Sequence, residues 1–142
     1  DMSIEPFKKN KKIKVVNLIS KIFNKNILND KNCIKVVKKK DNNALYFSRS
    51  PIPFKKLGKN FYGYKQVCII PFKRDYLLKF NATSETNLEI TESIDMMRII
   101  ENGEKVRMVM TTENSFSVDT QMDLNKVQKI MFNDKLLSLY NK

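Results

Sequence analysis

One arginine stands at the end of an apolar segment, in a position suited to recognising an anion. Ala44–Phe47 reads Ala-Leu-Tyr-Phe, and Arg49 follows between two serines. Pro51 and Pro53 then exclude a helix and restrict the residues before them to extended conformations. The pattern predicts a buried strand that carries Arg49 to a rigid edge, where a guanidinium can bind a carboxylate or a phosphate bidentately. An ordinary strand followed by a solvated arginine is the alternative that these residues leave open.

Two carboxylates lie at predicted helix starts. Asp119 follows a predicted short strand, Ser115–Val118, and precedes Thr120, which is predicted to cap the last helix. A carboxylate at such an edge of an α/β sheet can hold Mg²⁺, and capping of the helix is an equally good explanation. Glu89 forms a Thr-x-x-Glu pattern with Thr86, which is typical of a capping box and by itself explains the glutamate.

Three segments resemble, in the same order, the cytidylyltransferases that make CMP-Kdo, where Kdo is 3-deoxy-manno-octulosonate. The first is ALYFSRSPIPF, from Ala44 to Phe54. The second is Asn-Leu-Glu at 87–89 with its helix, up to Glu-Asn-Gly at 101–103. The third is Ser-Val-Asp-Thr at 117–120, followed by Asp-Leu at 123–124. The resemblance runs from about Ile4 to about Met131 and corresponds to the second half of a family member.

The resemblance implies roles for four side chains. Asp119 matches a metal-binding aspartate and is the implied catalytic residue, Arg49 matches a contact to the acidic sugar, and Glu89 matches a contact to sugar hydroxyls. Gln66 stands where family members often have a histidine. Its amide can still hydrogen-bond a hydroxyl. Because the histidine is replaced, a sugar acid other than Kdo is an alternative substrate.

The same resemblance implies a function and its partners. A family member activates an acidic sugar such as Kdo with CTP, releasing CMP-sugar and pyrophosphate for lipopolysaccharide biosynthesis, with Mg²⁺ as cofactor, as a cytoplasmic homodimer. The glycine-rich segment that binds the triphosphate in the family is not among these residues, which include three glycines. We therefore expect a C-terminal, sugar-binding portion that lacks the N-terminal nucleotide-binding part and does not turn over by itself.

Composition supports a folded chain and limits its chemistry. The 142 residues are 42% hydrophobic and contain no histidine, which excludes histidine metal ligands and Ser-His catalysis. No apolar run approaches the roughly 20 residues that a membrane span needs. Lysine and arginine outnumber aspartate and glutamate by 27 to 15, giving a net charge of +12. We expect a solvated lysine surface and no nucleic-acid partner. A basic nucleic-acid-binding α/β module and a non-catalytic remnant are the alternative functions.

Hydrophobic periodicity predicts how these side chains are positioned. The order of elements indicates one α/β domain over residues 1–142, with helices on both faces of a mixed sheet. The resemblance narrows this to the Rossmann-like fold of nucleotide-diphospho-sugar transferases. The predicted strands are Val15–Ile22, Cys33–Val37, Ala44–Ser48, Gln66–Phe72, Lys105–Met110 and Ser115–Val118. The predicted helices are Arg74–Phe80, Thr86–Asn102 and one after Thr120 that buries Leu124, Val127 and Met131. The loop Pro51–Gly63 has Gly58 and Gly63 as predicted hinges, and Tyr62 and Tyr64 either line a pocket or simply pack.

Overall fold

A computed structural model describes residues 2–54, 63–113, 115–134 and 137–140. The predicted hinge Gly58 and the pocket candidate Tyr62 lie outside these residues. The chain divides into two compact units, Asp1–Thr112 and Glu113–Lys142. Among the described residues, no helix has the length and the apolar character needed to cross a membrane.

The first unit is built on a five-stranded mixed sheet in the order β3-β2-β4-β1-β5. The strands are β1 (Val15–Ile22), β2 (Lys35–Lys38), β3 (Ala44–Ser48), β4 (Gly63–Val67) and β5 (Val106–Met110). β1 and β5 are parallel, whereas β1–β4, β2–β3 and β2–β4 are antiparallel. The predicted mixed α/β sheet and the β2–β3 hairpin are thus confirmed, and β1 and β3 begin and end at the predicted residues.

The helices of this unit are short, and α5 packs on the sheet. They are α1 (Glu5–Lys9), α2 (Lys25–Asn29), α3 (Arg74–Asn81), α4 (Asn87–Glu92) and α5 (Met96–Glu101). The core includes Val15, Ile19, Val36, Phe47, Met96 and Met97, each at most 1% exposed. Burial of each such side chain contributes roughly 1.5–3 kcal/mol.

The predicted central strand Gln66–Phe72 is wrong beyond Val67. Ile69 is 53% exposed, and its N–H donates to the Val67 carbonyl at 2.7 Å, so the regular ladder is interrupted after Val67. The segment still lies along β1, because the carbonyls of Ile69 and Pro71 accept from the N–H groups of Leu18 and Val16, at 3.2 and 3.0 Å, and Phe72 bridges Val15. Proline has no N–H to donate to a ladder, and Pro71 explains why this apolar segment does not continue as a regular central strand.

The predicted single helix Thr86–Asn102 is two helices, α4 and α5. Ser93 lies between them in the left-handed region, at φ 53°. The break leaves Ile90, assigned by periodicity to the buried stripe, 63% exposed, while Ile94 and Met97 are buried as predicted. Gly103 has φ 73° at the end of α5, where the sequence predicts a left-handed C-cap.

The second unit contains α6 (Gln121–Met131) and α7 (Leu137–Tyr140). Thr120 caps α6 as predicted, since its hydroxyl accepts from the Asp123 N–H at 3.2 Å. Ser115–Val118 is exposed and does not form the predicted strand. The predicted buried face of α6 is also wrong, because Leu124 and Met131 are 37% and 48% exposed, and only Val127 is half-buried.

Candidate functional site

The start of β2 lies beside the end of β3 and beside Lys65 of β4, and we call this end of the three strands the Arg49 edge. β3 and β4 both run antiparallel to β2, and Lys35 at the start of β2 is in register with Ser48 and with Lys65. Arg49 follows Ser48, and Gln66 follows Lys65. Neighbouring strands are about 4.8 Å apart, so Arg49 and Gln66 lie roughly 10 Å apart across β2. The structure thus brings two of the four predicted site residues to the same edge.

The Arg49 guanidinium is held by backbone carbonyls. Nε donates to the Glu92 carbonyl at 2.9 Å, and Nη1 and Nη2 donate to the carbonyls of Lys31 and Ser93 at 3.0 Å each. Since a guanidinium carries five N–H groups, one remains on each terminal nitrogen. Arg49 makes no ion pair with any carboxylate in the described ranges. The guanidinium is therefore held in one orientation, and no described carboxylate neutralises its charge. Such a group is suited to bidentate binding of an external carboxylate.

The side chain of Glu92 fixes the backbone around this arginine. Its carboxylate accepts from the Ser48 hydroxyl at 2.9 Å, the Arg49 N–H at 3.0 Å and the Tyr46 hydroxyl at 3.2 Å. Burial, and secondly the Glu92 charge, raise the pKa of Tyr46. Sequence reasoning missed Glu92, because it lies in a predicted helix and nothing in its spacing links it to a strand more than 40 residues away.

Gln66 belongs to a buried amide network. Asn17 is fully buried, and its Nδ2 donates to the carbonyls of Leu18 and Val67, at 2.9 Å each. The Asn17 oxygen therefore faces Gln66, whose Nε2 donates to it at 2.6 Å. This arrangement leaves Oε1 of Gln66 as an acceptor, and no described residue donates to it. That atom can accept from a ligand hydroxyl.

Glu89 is 6% exposed at the start of α4 and faces an arginine. Arg98 donates through Nε to Oε2 at 2.6 Å and through Nη2 to Oε1 at 2.5 Å. These hydrogen bonds lower the pKa of Glu89. The Thr86 N–H donates to Oε2 at 3.3 Å, which is the Glu89 half of the predicted capping box, whereas the Thr86 hydroxyl has no hydrogen-bond partner among the described residues. No sequence pattern pointed to Arg98, and the contact of Glu89 with a sugar stays a prediction.

Asp119 lies in the second unit, before the Thr120 cap, and is exposed. Its N–H donates to Asp123 Oδ2 at 3.4 Å, and its carboxylate has no partner among the described residues. In the part of the chain described, no three Cys, Asp or Glu side chains cluster as metal ligands. A single unpaired carboxylate nevertheless fits Mg²⁺, which takes one or two carboxylates together with phosphate oxygens and water.

An open cavity of about 530 Å³ lies elsewhere in the first unit. Its lining includes Glu5 and Lys9 of α1 and Arg107 and Met110 of β5, and none of the four predicted site residues. The chemistry of the Arg49 edge, rather than this cavity, defines the candidate site.

The mixed α/β sheet thus carries an arginine and a buried amide at the ends of neighbouring strands, and these are groups that can bind a carboxylate and a hydroxyl. The sequence profile of the cytidylyltransferase family matches residues 1–106 of the 142. The chain therefore belongs to the cytidylyltransferase family.

Two relatives within this family are named for the same activity. The 3-deoxy-manno-octulosonate cytidylyltransferase of Fusobacterium nucleatum is 39% identical over 124 residues, which cover 87% of this chain and 51% of the relative. That of Pelobacter propionicus is 34% identical, with coverages of 91% and 55%. A solved structure of CMP:2-keto-3-deoxy-manno-octonic acid synthetase in complex with CTP has a TM-score of 0.82 at 28% identity, covering 92% of this chain and 54% of that one. This chain spans about half the length of these relatives.

Proposed function

We propose that this chain is the acid-sugar-binding portion of a cytidylyltransferase that activates Kdo with CTP, for lipopolysaccharide biosynthesis. The observation that carries the proposal is the Arg49 guanidinium, which is fixed by three carbonyls and paired with no described carboxylate. The relatives support the choice of sugar, because two of them are named for 3-deoxy-manno-octulosonate. The structural neighbour was solved with CTP, which supports the nucleotide.

In the proposed reaction, the anomeric hydroxyl of the sugar attacks the α-phosphorus of CTP. The new O–P bond forms as the bond from the α-phosphorus to pyrophosphate breaks, the hydroxyl proton passes to water, and CMP-sugar and pyrophosphate are released. Arg49 would hold the sugar carboxylate through its two remaining N–H groups, and Oε1 of Gln66 would accept from a sugar hydroxyl. Glu89 is the further candidate for a hydroxyl contact. Holding the sugar in one orientation lowers the entropic part of the barrier.

Asp119 is the candidate ligand for Mg²⁺. Its exposed carboxylate, free of described partners, supports this role. Mg²⁺, when bound, offsets negative charge on the triphosphate and on the leaving pyrophosphate. We further propose a homodimer, a cytoplasmic location and a single sugar-binding portion over residues 1–142, as the resemblance to the family implies.

Isothermal titration of the chain with Kdo and with its methyl ester tests the proposal. The ester keeps the hydroxyls and loses the negative charge, so we expect it to bind at least about tenfold more weakly, since charge-assisted hydrogen bonds contribute roughly 1.5–3 kcal/mol. Equal affinities for acid and ester would refute the proposal.

A titration with single-stranded RNA over a range of salt concentrations tests the other function class. A basic nucleic-acid module would bind RNA at physiological salt, with a steep salt dependence. RNA binding of that kind, together with no binding of Kdo, would replace the proposed function.

A further inference from the structure

A second charged side chain at the same edge is completely enclosed. Lys35 is 0% exposed, although it carries an ammonium group. Its Nζ donates to the carbonyls of Asp30 at 2.7 Å and Cys33 at 2.5 Å, and also to the carbonyl of Arg49. All three ammonium N–H groups are thereby used. Burial lowers the pKa of Lys35, the effect expected for an ammonium removed from water.

Lysine is a costly choice for a residue that only fills space. Removing an ammonium from water costs several kcal/mol, and neutral carbonyls recover part of that cost. A methionine would occupy a similar volume without a charge to desolvate. What Lys35 contributes beyond volume is a fixed position for the two backbone segments whose carbonyls it binds, the turn with Asp30 and Cys33 and the end of β3.

The segments that Lys35 joins are those that hold Arg49. The Arg49 carbonyl accepts from Lys35, while the Arg49 N–H donates to Glu92 Oε2 at 3.0 Å, so both of its backbone groups are bound by charged side chains. The turn that supplies the Asp30 and Cys33 carbonyls also contains Lys31, whose carbonyl accepts from Arg49 Nη1 at 3.0 Å. One ammonium thus ties the backbone of the arginine to a turn that orients its guanidinium.

We propose that Lys35 is a positioning residue that sets the Arg49 guanidinium for the carboxylate of the sugar. The inference rests on the proposed function, because it takes Arg49 as the carboxylate contact. Bidentate recognition needs both N–H groups at the correct angle, and a displacement near 1 Å can reduce activity by about a hundredfold. Without Lys35, the turn and the end of β3 lose their common anchor, and Arg49 samples other orientations.

The test compares Lys35→Met with Lys39→Met in this chain. Lys39 is exposed and its replacement makes the same change of charge, so it is the matched control. We expect Lys35→Met to weaken Kdo binding by about tenfold or more while the affinity for the Kdo methyl ester stays within about twofold. The control is expected to leave both affinities within about twofold. A loss that affected acid and ester alike would mark a purely structural role and overturn the proposal.

A double-mutant cycle of Kdo affinities tests whether Lys35 acts through Arg49. The loss in Lys35→Met/Arg49→Met should be close to that in Arg49→Met alone, since contacts made through one group are not additive. Additive losses would overturn the proposal. Lys35→Gln keeps two N–H donors and should bind Kdo more tightly than Lys35→Met.

The remaining outcomes separate the two proposals. If neither Lys35 variant folds, as judged by circular dichroism, Lys35 is a stability residue and the inference is wrong. A wild-type chain that does not prefer Kdo over its ester overturns the proposed function and this inference together. A preference that Lys35→Met retains overturns the inference alone.

Discussion

The two ends of α4 each meet an arginine, and the two arginines are bound differently. At the start of the helix, Arg98 donates to both carboxylate oxygens of Glu89 and to the carbonyls of Phe80 and Thr83. Its guanidinium also lies over the Phe80 ring, at 4.5 Å from the centroid. At the end of the helix, the Arg49 guanidinium donates to three carbonyls and to no described carboxylate.

The difference separates a structural arginine from one that is available to a ligand. Four donors of Arg98 are used inside the protein, and its charge is neutralised by Glu89. Arg49 is equally well oriented, but its charge has no described partner, and one N–H on each terminal nitrogen remains. We therefore expect replacement of Arg98 to affect folding and replacement of Arg49 to affect ligand binding.

The largest effect is expected for Arg98→Met. The variant leaves the Glu89 carboxylate buried without a counter-charge, and breaking such a pair typically costs about 3–5 kcal/mol of unfolding free energy. Urea denaturation followed by circular dichroism measures this cost. Arg74→Met is the control, because the Arg74–Asp75 pair is exposed and its loss should cost less than about 1 kcal/mol. A cost below about 1 kcal/mol for Arg98→Met would contradict the structural role of Arg98 and remove its contrast with Arg49.

A smaller effect, on a different quantity, is expected for Arg49→Met. Two charge-assisted hydrogen bonds to the sugar carboxylate are lost, so the dissociation constant for Kdo should rise by roughly 10- to 100-fold. The loss of unfolding free energy should be smaller than in Arg98→Met, because no buried carboxylate is left unpaired. Calorimetric titration and urea denaturation of the same samples give both numbers. Unchanged Kdo affinity with a large loss of stability would reverse the roles assigned to the two arginines.

The pH dependence of the unfolding free energy should also reveal the Glu89–Arg98 pair at the start of α4. Arg98 lowers the pKa of Glu89 below its usual 4.5, so this carboxylate stabilises the fold above the unfolded value and the contribution is lost as the pH falls through the folded value. In Arg98→Met only burial and the Thr86 N–H act on the carboxylate, and burial raises its pKa. The stability difference between wild type and Arg98→Met should therefore shrink between about pH 7 and about pH 3. Urea denaturation across this range measures it, and a constant difference would contradict the pairing.

The smallest effect is expected at the break between α4 and α5. Ser93 adopts a left-handed conformation at φ 53°, which costs a residue with a Cβ roughly 1 kcal/mol more than glycine. Ser93→Gly should therefore raise the unfolding free energy by up to about 1 kcal/mol, and leave Kdo affinity unchanged because the Ser93 carbonyl stays in place. Ser84→Gly, at an exposed loop position, is the control. A weakened affinity for Kdo in Ser93→Gly would show that the side chain itself contributes to the Arg49 end.

Local sequence patterns predicted the elements whose stability is mainly local. Period-two alternation gave both ends of β1, and the turn Asp41–Asn43 with Ala44–Ser48 gave the β2–β3 hairpin. The capping pairs at Thr86 and Thr120 were readable because each links residues three positions apart. Arg49 was also readable, since a charged residue directly after an apolar strand and before two prolines has few places to lie.

The errors arose where distant contacts compete with local propensity. Continuous helical periodicity predicted one helix over 86–102, but the carbonyls of Glu92 and Ser93 bind Arg49 from a strand more than 40 residues away, and the helix breaks there. The apolar run 66–72 suggested a regular central strand, but β4 ends at Val67 and the residues after it keep only irregular hydrogen bonds to β1.

The sequence by itself determined the family, the sheet strands with clear alternation and the arginine at the strand end, because these depend on residue types and short spacings. Only the tertiary structure decided which charges are paired. Glu89 faces Arg98, Glu92 holds the backbone of Arg49, and Lys35 is enclosed by three carbonyls. The free energy of a charge depends on its surroundings after folding, on burial and on partners brought together from remote segments. No local pattern encodes that environment.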